Sequence, residues 1–405
     1  MANTFKFGNG NWAVKDGYAL AYNDENNNFK PLPFDFTRAS SATRVNKQGL
    51  VEVVPSGKPR IDFTDNTSGH LLLEPSRTNN LPYAEQFDNA AWSKGNSTVT
   101  ANQAISPDGS QTADLLQLTS AGGNVFDGVG GSGDYAFSVF AKYVDAQFIR
   151  LRSTGSYAYF DIQNGSVGST INVSSTKIED YGNGWYRCTV VGNNTNSLAQ
   201  IFVSDTDGSN TGTGSVYIWG AMFEAGSYAT SYIPTEGSSV TRVVETANGA
   251  GNDSIFSEAE GVLYVESEAL ANDETSRVIA SISNGSSNLN RVVLQYTNNV
   301  GGNQVVAFAQ TASGYSSVHT RSITNALTFN KFAVVYNDST NNFDLWVNGT
   351  KLGDGSFNYS FTANALSKIQ FADGNTTNNP FYGKIKDIKV YNTALTDTEL
   401  QNLTS

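Results

Sequence analysis

The chain has 405 residues, a formal charge of −12, and charged side chains at only 15% of its positions, against about 25% in an ordinary soluble protein. An acidic chain of this kind lacks the basic surface that phosphate binding requires, so nucleic acid is excluded as a main partner. No run approaches the ~20 apolar residues of a membrane-spanning helix, and with one cysteine, Cys188, an intrachain disulfide is impossible.

Aromatics at 12% with few lysines suit pleated sheet, where aromatic and β-branched side chains pack well. The composition predicts an all-β protein whose solubility rests on Asn, Ser, Thr and Gly. The opening "MANTFKFGNGNWAVKDG" has no charged-then-apolar leader pattern. A polar, aromatic exterior without a leader fits assembly inside a cell and release by lysis.

Residues 1–80 read as an extended N-terminal arm. Gly8, Gly10 and Gly17, the run "NDENNN", and then Pro31, Pro33, Pro55, Pro59 and Pro75 break regular sheet into short pieces, because proline fixes φ and removes a ladder donor. Within it, "DFTRASSATRVNKQGLVEVVPSGKPRIDFT" carries Arg38, Arg44, Lys47, Lys58 and Arg60 in an acidic chain. Its arginines offer planar forks to carboxylates, while Phe34, Phe36, Val45, Leu50, Val51 and Val53 need a covering surface. That surface is expected from the chain's own domains, from sister subunits or from another protein of an assembly. Arg38, Arg44 and Arg60 are therefore the docking candidates, and the arm is the expected oligomerisation element.

Residues 81–245 form the first expected compact unit. "YAFSVFAKYV", "FIRLRS", "AYFDIQ", "WYRCTVVG", "AQIFVSD" and "VYIWGAMFEAG" are strand-length runs between Gly, Asn and Asp turns, the pattern of a β-sandwich or jelly roll. Cys188, Trp185 and Trp219 sit among large apolar neighbours and read as core. In "FIRLRSTGSYAYFDIQNG", Arg150 alternates with Arg152 and Tyr157 with Tyr159, so each pair shares a strand face. If the two strands pair, tyrosine faces and guanidinium edges form an amphipathic platform for a polar ring such as a sugar. Packing of the tyrosines into the core, with the arginines on a solvated edge, is the alternative. "SDTDGSNTG" brings Asp205, Asp207 and Asn210 to a turn that offers oxygen ligands of the kind calcium takes; an ordinary Asp/Gly turn accounts for it equally.

After "NGAGNDSIFSEAE", residues 255–405 form the second unit, again of strand-length runs. Asn348-Gly349 between two alternating segments predicts a hairpin. "TALTDTELQNL" predicts the one helix, with Thr396 as cap, Glu399 three residues on, and Leu395, Leu400 and Leu403 as its apolar edge.

On "GVLYVE", "FDLWVNGTKL" and "FYGKIKDIKVYNTALTDTELQNL" this second unit resembles the concanavalin A-like, laminin-G-type lectin/glucanase sandwich. The resemblance implies that the terminal helix follows the last strand and caps the sheet. Residues 34–244 resemble bacteriophage virion appendage proteins on "FDFTRASSATRVNKQGLVEVV", "PRIDFT", "LLLEPSRTNNLPYAEQFDNAAWSK", "FDIQNGSVG", "GNGWYRCTV" and "YIWGAMFEAGSYATSYIPTEGSSVTRV", with a carbohydrate-binding-module type of jelly roll. That resemblance implies a fibre or decoration appendage, assembled in the host cytoplasm, attached to other virion proteins through its arm, trimeric, and displaying modules for host-surface or mucus glycans. A depolymerase and a purely structural decoration protein are the alternatives.

Glycoside hydrolysis needs two carboxylates about 5–9.5 Å apart. Glucanases of the concanavalin A-like fold place acids in a Glu-x-Asp-x-x-Glu run, and Glu266, Glu268 and Asp344 do not reproduce it. A lyase would require a base cluster, for which His319 and Arg321 offer two residues. The sequence thus predicts a binding protein and no enzyme.

Overall fold

The computed structural model describes residues 4–10, 12, 14–15, 18–19, 34–64, 66–153, 155–194, 198–286, 288–297, 303–312, 314–357, 360–374 and 378–405. The expected polar run "NDENNN", with Gly17, Pro31 and Pro33, lies outside them. The protein is all-β, and the described residues contain one helix, Asp397–Thr404.

The chain divides into two compact units that the first 80 positions share out between them. One comprises Met1–Ala39, Val54–Pro75 and Val244–Ser405; the other Ser40–Val53 and Ser76–Val243. The separate arm expected from the prolines is therefore replaced by short strands built into both units.

In the first unit, an eight-stranded sheet runs Thr350–Gly355, Asn342–Val347, Asn330–Asn337, Glu260–Ala269, Gly383–Tyr391, His70–Leu73 and Arg60–Asp62, with Phe5–Gly8 also against Gly383–Tyr391. A seven-stranded sheet runs Tyr315–Ser322, Gln304–Gln310, Arg291–Tyr296, Arg277–Ser283, Lys368–Gln370, Thr246–Ala250 and Asp35–Thr37. Phe5, Phe7, Phe34, Phe36 and Leu71 are buried in one core cluster with Leu263, Leu294, Phe332 and Ile388. Phe5, Phe7, Phe34, Phe36 and Leu71 thus find their cover within their own chain and need no second copy to supply it, whereas Val53 stays exposed.

Asn348 and Gly349 take φ of 48° and 77°, the left-handed pair that a tight hairpin needs, and join Asn342–Val347 to Thr350–Gly355 as the sequence predicts. The helix begins on Thr396, whose side chain and that of Glu399 form a reciprocal capping box. Leu395 and Leu400 pack with Val262, Val335, Trp346 and Tyr391, so the helix covers one outer face of the larger sheet.

The second unit is a sandwich of two six-stranded sheets. One runs Ser93–Gly95, Asn124–Gly128, Leu198–Ser204, Phe148–Ser153, Ser156–Asp161 and Ser166–Ile171. Its partner sheet runs Ser97–Ala104, Ala113–Leu118, Ser215–Ala225, Gly133–Tyr143, Trp185–Asn194 and Ser175–Asp180. Between them lie Val125, Ile149, Leu151, Ala158, Phe160, Cys188, Ile201 and Val203. Burial drives the Cys188 thiol pKa well up, consistent with its reading as a small core residue. Trp185 and Trp219 are buried in a further cluster with Phe140, Met222 and Tyr232, and their indole N–H groups donate to Ile105 O at 3.0 Å and Thr112 Oγ1 at 3.1 Å. The hairpin Ala42–Val45 and Val51–Val54 adds Val51 to this cluster.

Candidate functional site

Strand alternation decides what the first of these six-stranded sheets turns outward. Ile149, Leu151, Ala158, Phe160, Ile201 and Val203 face inward, so their neighbours Arg150, Arg152, Tyr157, Tyr159, Gln200 and Phe202 take the other face. Register then places them in two rows across four strands. Asn124 stands opposite Phe202, Phe202 opposite Arg150, and Arg150 opposite Tyr159. In the next row Phe126 faces Gln200, Gln200 faces Arg152, and Arg152 faces Tyr157. The four residues expected to form a platform are therefore on one face of paired strands. Phe126, Phe202, Gln200 and Asn124 complete it. The alternation in "AQIFVSD" places Gln200 and Phe202 on one face of their strand, but nothing local says which strand that face adjoins.

The first row is packed and the second is more open. Arg150 is 7% exposed and Tyr159 2%, whereas Phe126, Arg152 and Tyr157 are half-buried. The Arg150 guanidinium lies 3.7 Å from the Phe202 ring centroid, 5.0 Å from that of Tyr157 and 5.7 Å from that of Tyr159, a cation held among three π faces. The two tyrosine rings meet edge to face at 6.2 Å. Gln200 donates to Asn124 Oδ1 at 2.9 Å.

Tyr159 does not present a free stacking face, as the sequence reading supposed. Its hydroxyl donates to Asn210 Oδ1 at 2.9 Å, and its ring supports the row from beneath that loop. Tyr159→Ala should cost about 3 kcal/mol or more of stability, as removal of a buried aromatic does; urea unfolding measures it, and a loss below about 1 kcal/mol would contradict the packing role.

The loop that carries Asn210 was the calcium candidate. Asp207 accepts from the Ser169 backbone N–H and hydroxyl, each at 2.8 Å, Asn210 is engaged by Tyr159, and Asp205 is exposed. Ser204 Oγ knots the turn by donating to Ser209 O at 2.6 Å and Thr206 O at 2.8 Å. Asp207 and Asn210 thus turn to different partners instead of converging on one point. Among the described residues no group of three or more His, Cys, Asp or Glu side chains is placed to hold a metal.

The docking arginines are placed against carboxylates of their own chain. Arg38 donates to Glu245 Oε1 at 2.7 Å and to Pro55 O at 2.6 Å. Arg60 donates to Glu245 Oε1 at 2.8 Å and Glu74 Oε2 at 2.8 Å and also bonds Glu245 Oε2. The side chains of both arginines and Glu245 are 0% exposed. Burial alone would lower the Arg60 pKa, but Glu245 and Glu74 push it above the usual arginine value. Arg38 and Arg60 are thus internal ties with no guanidinium surface to offer a second protein. Arg44 remains partly exposed and reaches Glu52 at 3.2 Å across its hairpin.

The acids considered for hydrolysis are engaged by lysines: Glu266 by Lys386, Glu268 by Lys384 and Asp344 by Lys351, each at 2.9 Å. Arg321 donates to Leu352 O at 2.8 Å. His319 lies on the strand Tyr315–Ser322, and its side chain falls outside the described residues.

The site is therefore an aromatic and guanidinium surface on the outer face of a jelly-roll sheet. A model described as the concanavalin A-like lectin/glucanases superfamily, of laminin G type, matches residues 264–401, within the unit that holds the eight-stranded sheet. Among solved structures, the chain is similar to the CBM40 module of the Ruminococcus gnavus IT-sialidase, at 16% identity over 39% of this chain and 94% of that one, with a TM-score of 0.32. Domain 4 of AbnA, a GH43 extracellular arabinanase from Geobacillus stearothermophilus solved with arabinotriose, is 12% identical over 44% and 82%, with a TM-score of 0.31. The heptameric SAP-like pentraxin of Limulus polyphemus is 13% identical over 36% and 70%, with a TM-score of 0.29. No curated protein matches the sequence.

Proposed function

We propose that this chain is a non-enzymatic glycan-binding protein, carried on a bacteriophage particle as a fibre or decoration appendage, that holds host-surface or mucus polysaccharide. The observation that carries the binding reading is the two-row face of Asn124, Phe202, Arg150 and Tyr159 beside Phe126, Gln200, Arg152 and Tyr157. Half-buried Tyr157 and Phe126 offer ring surface to the C–H face of a pyranose. Half-buried Arg152 stands between them with donors that bond hydroxyls. The match of residues 264–401 to a lectin-containing superfamily supports a second module of the same class.

The virion role rests on the sequence resemblance over residues 34–244, and so do the trimer, the attachment to other virion proteins and assembly in the host cytoplasm. A trimer would multiply weak single contacts into useful avidity. Light scattering on the full chain reads the oligomeric state directly.

A glycan array and a release assay test the proposal together. The full chain should retain at least one host capsule, mucin or plant polysaccharide and liberate no reducing ends or unsaturated uronates from it. Tyr157→Ala should weaken retention about tenfold, the scale of one lost stacking contact, with an unchanged thermal midpoint. Release of sugar that disappears in a Glu266 or His319 variant would establish a depolymerase instead. Flat signals on every polysaccharide would leave a purely structural decoration protein.

A further inference from the structure

The two rows contain two guanidinium groups and no carboxylate, in a chain whose formal charge is −12. Arg150 is the sharper case. At 7% exposed it is a mostly buried cation, and no carboxylate among the described residues pairs with it. Its Nε–H is buried without an acceptor. This contrasts with Arg38, Arg60, Arg277 and Arg291, each of which is paired with Glu245, Asp273 or Asp373.

The acids that come nearest along the same elements are already engaged. Asp161, one alternate position beyond Tyr159, accepts from Gln147 and Asn164, and Asp207 accepts from Ser169. Arg152 stands two residues from Arg150 on the same face and adds to the positive field; with burial as the larger cause, it pulls the Arg150 pKa below the usual arginine value. Aromatic faces offset part of the desolvation of such a cation, but they leave its Nε–H without an acceptor. A planar fork of this kind matches a carboxylate more closely than a single hydroxyl.

We propose that this face selects an acidic saccharide, with the carboxylate of a hexuronate-type sugar bound at the Arg150–Arg152 pair and its ring against Tyr157. The inference rests on the glycan-binding reading and narrows it from polysaccharide in general to carboxylate-bearing polysaccharide.

The test uses matched pairs: polygalacturonate, alginate and hyaluronate, each beside its carboxyl-reduced neutral counterpart, titrated against the full chain. At least one acidic member should bind tenfold or more tightly than its reduced partner, and added salt should weaken that member selectively. Arg150→Gln should abolish the difference, and Arg150→Lys, which keeps the charge but not the fork, should retain part of it. Should Arg150→Gln fail to fold, Arg150→Lys together with competition on the wild type by free glucuronate against glucose decides the same point. Equal binding of both members of every pair would overturn the acidic preference and leave glycan binding standing. A preference that survives Arg150→Gln in the folded protein would overturn the assignment to Arg150. Binding to no member of any pair would overturn both readings for this face.

Discussion

Glu245→Gln should destabilise the protein by about 3–5 kcal/mol, the cost of leaving a buried ion pair without one partner. Glu245 accepts from Arg38 and Arg60 and from the Glu74 backbone N–H at 3.0 Å. Removing its charge takes the Glu245 carboxylate from both buried guanidinium groups, while Glu74 still pairs with Arg60. Neither guanidinium can shed its proton, since arginine stays charged at any accessible pH. Urea unfolding of wild type and variant measures the difference. A loss under about 1 kcal/mol would mean that water reaches the cluster and that the four groups behave as a surface pair. Replacing Arg38, Arg60, Glu74 and Glu245 together by apolar residues of similar volume should cost far less than the single change, because no charge is then stranded.

The second large effect is a loss of stability in mild acid that traces to His70. Its side chain is fully buried, and burial, with smaller contributions from Lys384, Arg60 and Lys386, holds its pKa at about 4 against a usual 6.5 despite the nearby Asp62 carboxylate. Asn66 Nδ2 donates to Nδ1 at 2.8 Å, which assigns the proton to Nε2, 3.5 Å from Asp62 Oδ1. Between those two pKa values the unfolded chain takes up a proton that the folded chain refuses, so folding loses ground as pH falls from about 6.5 to about 4 and levels off below. The shift corresponds to roughly 3 kcal/mol at about 1.4 kcal/mol per unit. Asp114, pushed up to about 6 mainly by burial, works in the opposite sense over an overlapping range. The wild-type curve alone therefore understates the effect. The difference between wild type and His70→Gln isolates it: the variant should lie below wild type at pH 7 and approach it by pH 4. Parallel curves across that window would contradict the buried neutral imidazole.

What could be read from the sequence was whatever local rules control. Asn348-Gly349 names its own turn, Thr396 and Glu399 name their own helix start, and alternation in "FIRLRS" and "AYFDIQ" put Arg150 with Arg152 and Tyr157 with Tyr159 on shared faces of two strands that do pair. Gly383, which opens the last strand, has a backbone reason: a Cβ there would collide with the Glu268 carbonyl and the Phe381 ring.

Long-range pairing of short pieces was not readable. Phe5 pairs with Val390 and Thr37 with Thr246, and strands of three or four residues are too brief to carry register in their own pattern. For that reason segments that looked like an arm in need of a partner are strands of the sandwiches, and Arg38 and Arg60 found Glu245 about two hundred positions away. The same limit hid Phe126 and Gln200 from the candidate face, since they arrive on strands that only the fold brings beside Arg152.

The most direct test of the account is the structure of the full chain with a bound oligosaccharide taken from the polysaccharide it retains. The sugar should lie across Phe126, Gln200, Arg152 and Tyr157, with one ring on Tyr157. A ligand seated elsewhere, with this face bare or packed against another copy of the chain, would contradict it.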